Sequence, residues 1–160
     1  EALRKQAMEQ AEPSPGRVDG EAVQWICDAD SRLGPVLEAF VNGRYCWLPF
    51  GAIARLQIEA PQDLRDLVWA SAHLEFPNGG EAVALIPARY PGCGPDNDER
   101  LLMSRLTEWE VLSGEPGEPG EHYAGRGQRI LATDLGETGL LELRSIELTA
   151  QAGQHEADAA

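Results

Sequence analysis

The longest regular pattern in the chain has a period of two. From Val68 to Phe76, the residues Val68, Ala70, Ala72, Leu74 and Phe76 fall on one side and Trp69, Ser71, His73 and Glu75 on the other, as in a strand buried on one face. The turn-forming PNGG follows and leads into EAVALIPARY, predicting a hairpin whose second strand ends at Pro87. VLEAFV and RYCWLPF flank Asn42-Gly43, and Asn-Gly between β-rich runs predicts a tight hairpin because both central residues take positive φ. QWICDAD and IARLQIEA read as single strands, with SRLGP a turn after the first and Pro61 ending the second. GQRILATDLGETGLLELRSIEL predicts a third hairpin, turning near Gly136 to Gly139.

Helical spacing is rarer. EALRKQAMEQA is rich in helix formers, with Leu3, Ala7 and Met8 near one face. PQDLRDL predicts a short helical turn, with Leu64, Leu67 and Val68 together. DERLLMSRLTEW predicts a helix capped by Asp96 or Asn97, with Leu102, Leu106 and Trp109 along one side. Between these elements, EPSPGRVDGE has the composition of a linker, which places the start of the folded body near Val23. PGCGPDNDE and SGEPGEPGEHYAGRG read as loops, the second mobile, and QAGQHEADAA as a disordered tail. The sum is an α+β domain, mainly antiparallel strands in hairpins curled toward a small, partly open barrel, with two short helices and an N-terminal helix remnant. No βαβ alternation is present, which disfavours a doubly wound nucleotide fold.

Composition narrows the class. A chain of 160 residues suits one domain that buries about two thirds of its unfolded surface. A formal charge of -14 repels phosphate backbones and anionic lipid, so nucleic acid and membrane surfaces are poor partners; a solvated acidic surface is the plain reading, and a basic patch on a partner protein the alternative. Cys27, Cys46 and Cys93 are odd in number and lack a CxxC pair, so they read as reduced thiols of a cytosolic protein. No apolar run reaches the length of a membrane helix, and no basic-then-apolar signal opens the chain. The helical opening at Glu1 suggests the tail of a longer protein.

The candidate chemistry centres on DADSR. On a strand, Asp28 and Asp30 point the same way, a carboxylate pair suited to acid/base work or a hard cation. A calcium loop would continue with further oxygen ligands, whereas Arg32, Leu33 and Gly34 follow here. Ser31 lacks a GxSxG elbow, and among the three histidines only His73 is placed to serve as a base. The enzymatic reading is therefore a small hydrolase or metal-dependent enzyme using Asp28, Asp30 and His73. The structural reading is a polar cluster of Asp28, Asp30, Arg32 and Arg89, in which one aspartate pairs with Arg32 or Arg89 next to a buried Trp25 and Ile26. The glycines of GRGQR, Gly125 to Arg129, precede a strand rather than a helix, so they serve loop geometry and not phosphate. Tryptophans usually pack in the core, but Trp47 and Trp69 stand on strands and are the two candidate partner-binding anchors.

Longer words carry a resemblance. WICDADSRLGPVLEAFVNGRYCWLPF, then IEAPQDLRDLVWASAHLEFPNGGEAVALIPARYPG, then TEW and GQRILATD resemble the C-terminal domain of the ImpE/TagJ (SciE-type) family, accessory proteins of bacterial type VI secretion. The resemblance covers roughly Val18 to Ile146. It implies a non-enzymatic, cytoplasmic virulence-associated adaptor without cofactor, associated with the contractile sheath through its subunit TssB and in some systems with the ATPase ClpV. It divides the chain into residues 1–17, the end of an upstream helical region plus linker; residues 18–149, the family domain; and a tail, 150–160. It carries no catalytic residues. The helical domain of the family is mostly absent from this chain, and EPGEPG departs from the family as a local elaboration.

Overall fold

A computed structural model describes residues 2–94, 98–114 and 121–149. The helix α1 (Ala2–Gln10) precedes β1 (Gly16–Val18), β2 (Glu21–Val23), β3 (Ile26–Asp28), β4 (Val36–Val41), β5 (Arg44–Pro49), β6 (Arg55–Ile58), β7 (Trp69–Glu75) and β8 (Glu81–Pro87). A single helical turn, α2 (Glu99–Leu102), then leads to β9 (Thr107–Ser113), β10 (His122–Gly127), β11 (Ile130–Thr133), β12 (Gly136–Gly139) and β13 (Ser145–Leu148). Eight strands form one sheet in the order β2-β1-β13-β6-β7-β8-β4-β5, three form a second in the order β12-β11-β3, and β9 pairs with β10. All the pairings are antiparallel. The large sheet is open, with β2 and β5 as its edges. The mainly antiparallel fold expected is present, and the described strands form no closed barrel.

Inward positions of the large sheet, among them Leu37, Ala39, Leu56, Ala70, Ala72, Leu74, Ala84 and Ile86, pack with Ile26 and Leu131 of the three-stranded sheet and with Leu140 and Leu143. The period-two expectation for β7 holds, since Ala70, Ala72 and Leu74 are buried and the residues between them are not. The β4–β5 hairpin turns at Asn42 and Gly43, at φ 50° and 78°.

Several expectations are corrected. The segment expected to be a linker forms β1 and β2, turning at Asp19-Gly20 with φ 49° and 87° and joining the large sheet through β13. PQDLRDL winds through the successive i→i+3 turns expected of it without extending into a regular helix. The helix at Glu99 ends at Leu102 because Ser104 takes a positive φ of 54° and ties its hydroxyl to the Leu67 carbonyl. TEWEVLS is consequently the strand β9, and HYAGRG, expected in a loop, is its partner β10. The third hairpin turns before Gly136, between β11 and β12, while β13 crosses to the large sheet. The helix is capped by Asp98, whose side chain accepts from the Arg100 amide. The expected caps Asp96 and Asn97, the EPGEPG tip and the C-terminal tail lie outside the described residues.

Candidate functional site

The DADSRLG segment folds into a loop that returns on itself. The Asp28 amide donates to the Gly34 carbonyl at 2.7 Å, and the Leu33 and Gly34 amides donate to Asp30 O at 2.9 Å. The loop is strapped to β10 by Ser31, whose amide donates to the Tyr123 carbonyl and whose hydroxyl accepts from the Tyr123 amide. This holds Asp28 and Asp30 below the surface, 2% and 0% exposed.

Every carboxylate oxygen of the pair is engaged. Asp30 grips Arg32 bidentately, with Nη2 at 2.6 Å from Oδ2 and Nε at 2.9 Å from Oδ1, and Oδ2 also accepts from the Gly125 amide at 2.8 Å. Asp28 Oδ1 accepts from the Tyr90 hydroxyl at 2.6 Å and from the Asp30 amide, and Oδ2 accepts from Arg129 Nη1 at 2.6 Å. Arg129 is fully buried. It is satisfied by Asp28, by Glu38 through Nη2 and by the Pro87 carbonyl through Nε, and its guanidinium lies 5.1 Å from the Tyr90 ring centroid. A buried charge of this kind persists only when paired and hydrogen-bonded.

The two carboxyls respond differently to this setting. Burial pushes Asp28 above its ordinary value, against the opposing pull of Arg129, Tyr90 and the Asp30 amide. Burial also pushes Asp30 upward, but the bonds from Arg32 and the Gly125 amide outweigh it and hold Asp30 below the usual carboxylate range. The neighbouring Cys27 thiol is pushed up to about 11 by burial and by the charges of Asp28 and Glu137.

The structure thus joins Asp28, Asp30 and Arg32 but leaves out Arg89, whose Nη1 donates to the Leu102 carbonyl instead. Arg129 occupies the place expected of it. The enzymatic trio does not converge: His73 stands on the outer face of β7, with Nε2 3.7 Å from Glu81, while Asp28 and Asp30 have no oxygen free for a substrate. Among the described residues, His73, Glu75 and Glu81 are a group whose donor atoms lie within 4.8 Å of one another, but they are solvent-facing, and Arg55 leans against Glu75 at 3.9 Å.

The second feature is an apolar outer face. None of the four tryptophans is buried, so neither the core expectation nor the burial expected of Trp25 holds. Trp47 is 55% exposed on the edge strand β5 beside Tyr45, and Trp69 on β7 meets Phe40 of β4 edge-on at 5.3 Å. Val83 and Leu85 project outward from β8. With Phe40, Asn42, Gly43 and Trp69 they line a cavity of about 310 Å³. Sequence reading named the tryptophans but not Val83 and Leu85. The signal was present: both faces of AVALI are apolar, and the inner one is mostly alanine.

A chain of hydrogen bonds links the two features. The Trp47 indole donates to the Tyr45 hydroxyl at 2.7 Å, Tyr45 donates to Glu38 at 2.7 Å, and Glu38 receives Arg129 from the buried cluster. Two exposed aromatic rings are thereby fixed in place from beneath.

The carboxylate oxygens of Asp28 and Asp30 are thus engaged by donors of the protein itself, and an exposed apolar surface lies beside the cluster. Comparison with known proteins supplies the family. A model of the ImpE protein family matches residues 20–147. The chain belongs to the ImpE family. It is 48% identical over 147 residues to the type VI secretion system accessory component TagJ of Pseudomonas aeruginosa, covering 92% of this chain and 49% of that protein. The fold also matches a crystal structure of a Vibrio parahaemolyticus protein with a TM-score of 0.80 at 20% identity, covering 94% of this chain and 54% of that one. The chain therefore spans about half the length of the relatives it matches.

Proposed function

We propose that this ImpE-family chain is a non-enzymatic adaptor of a type VI secretion system, acting in the cytoplasm by holding the sheath subunit TssB, with the ATPase ClpV as the second partner to which it links the sheath. Residues 18–149, with the β1 residues before them, are the binding unit. The polar cluster of Asp28, Asp30, Arg32 and Arg129 is structural and keeps the DADSR loop and β10 in register. The observation that carries this reading is the exposed aromatic and aliphatic face on β5, β4, β8 and β7, with Trp47 and Trp69 on it. Apolar patches rimmed by polar residues mark protein-interaction surfaces. Support also comes from the name of the Pseudomonas aeruginosa relative, an accessory component of that system.

The test is co-purification. Tagged chain and untagged TssB are co-expressed and washed at low salt, where charge pairing is least screened. TssB retained on the chain, and absent from a tag-only control, supports the proposal. A clean wash-through, with both proteins folded and soluble, refutes it.

A further inference from the structure

The outer face has a polarity along the strands that narrows what can sit on it. At its centre is the cavity lined by Phe40, Trp69, Val83 and Leu85. Val83 lies opposite His73, and one step further along the same hairpin Glu81 lies opposite Glu75. Residues two apart on a strand are about 7 Å apart and share a face, so a pair of carboxylates sits one such step beyond the cavity. Both are exposed. Their basic neighbours are loosely placed: the His73 imidazole is 3.7 Å from Glu81, and Arg55 is 3.9 Å from Glu75 but closer, at 3.0 Å, to Glu147. On the far side, Tyr45 and Trp47 form a ridge whose polar tips are tied to Glu38. Rings held this way lose little freedom on binding, which favours association.

Resting on the adaptor reading above, we propose that the Phe40–Trp69–Val83–Leu85 cavity receives one large apolar side chain of a protein partner, and that Glu75 and Glu81 receive a lysine or arginine of the same segment about 7 Å away. Charge fixes the direction in which the segment lies. The cavity holds the apolar anchor, and the acidic end admits a cation and rejects a carboxylate, giving discrimination by repulsion as well as attraction. The net charge of -14 reinforces this at long range.

The test uses two substitutions at exposed positions, Val83→Glu and Glu81→Lys, which leave the core untouched, with urea midpoints checked to match the parent chain. Two probes are used. One is purified TssB. The other is a pair of synthetic peptides that share a tryptophan anchor and differ only in carrying lysine or glutamate two residues further on. The expected result is that TssB and the lysine peptide bind the parent chain. The glutamate peptide binds about tenfold more weakly, Val83→Glu loses about tenfold or more for both ligands, and Glu81→Lys inverts the peptide preference. Salt flattens the lysine–glutamate difference. If TssB binds both variants as well as the parent chain, the adaptor reading stands and the cavity proposal falls. If TssB fails to bind while the peptides discriminate and respond to the variants, the cavity proposal stands and the sheath partner is wrong. Peptides that bind alike, or not at all, overturn the cavity proposal.

Discussion

Replacing Asp28 with alanine is the sharpest probe of the buried cluster. Arg129, fully buried, would keep Glu38 on Nη2 and the Pro87 carbonyl on Nε, but Nη1 would lose its acceptor and Tyr90 its only carboxylate. Breaking one side of a buried ion pair costs about 3–5 kcal/mol. The surviving Glu38 contact keeps Arg129 from being wholly uncompensated, so the expected loss is at the lower end, about 3 kcal/mol. Burial already pushes the Asp28 carboxyl upward despite its partners, which means that desolvation offsets much of the attraction. Removing both charges together, as Asp28→Ala with Arg129→Met, should therefore cost less than the single change. Urea unfolding at pH 7, with slopes compared so that only midpoints carry the change, measures both variants. A single-variant loss below about 1 kcal/mol, the scale of a surface pair, would refute the buried-pair argument, as would a double variant that is worse than the single one.

Further outcomes follow from the same geometry. A Cβ added at Gly125 would lie 2.4 Å from the Tyr90 ring and 3.0 Å from Trp109, so Gly125→Ala should lose about 1–3 kcal/mol in urea unfolding through overpacking; an unchanged midpoint would contradict it. Asp30 has a depressed folded pKa, so its stabilising contribution is present above the ordinary carboxylate value and is lost as pH falls through the folded one. The stability gap between the parent chain and Asp30→Asn should accordingly be widest at neutral pH and narrow below about pH 4, and a gap that widens on acidification would reverse the assignment. Asp28, raised, contributes in the opposite sense, its part being lost as pH climbs through its folded value. With its pKa at about 11, Cys27 should alkylate at pH 8 about a hundredfold more slowly than a free thiol in a chain carrying Cys46→Ser and Cys93→Ser; mass spectrometry over time reads the rate, and reaction at the free-thiol rate would refute its burial.

Legibility followed sequence distance. The Asn42-Gly43 hairpin and the β7–β8 pair were readable because turn chemistry and period two are local. The Asp30–Arg32 grip was readable for the same reason, since the partners are two residues apart. Arg129 was not: it reaches Asp28 across 101 residues, and the antiparallel pairing of β11 with β3 brings them together. Asp19-Gly20 was a legible turn signal, hidden because prolines on one side and strands with few apolar residues made the segment look like a linker. The β9–β10 pair was missed because Leu102, Leu106 and Trp109, at helical spacing, suggested a helix running on through TEW, and because the glycines of β10 mimic a loop. Gly125 and Gly127 are there for contact: one lies against Tyr90, and the other has a φ of 92° with a missing Cβ pointing into the Leu106 carbonyl. Of the two arginines offered as partners, Arg32 takes the aspartate, while Arg89 turns to the Leu102 carbonyl of α2.

In the function proposed, the chain works by binding through its exposed aromatic face while the polar cluster beneath keeps that face in shape. Calorimetric titration of purified TssB into the parent chain and into Trp47→Ala, with urea midpoints taken on the same samples, tests it most directly. Saturable binding by the parent chain is expected, with about tenfold or more weakening for Trp47→Ala in the manner of an interface hot spot, and equal midpoints, because Trp47 is an edge-strand residue outside the core. Absence of binding by the folded parent chain, or undiminished affinity of the variant, would contradict it.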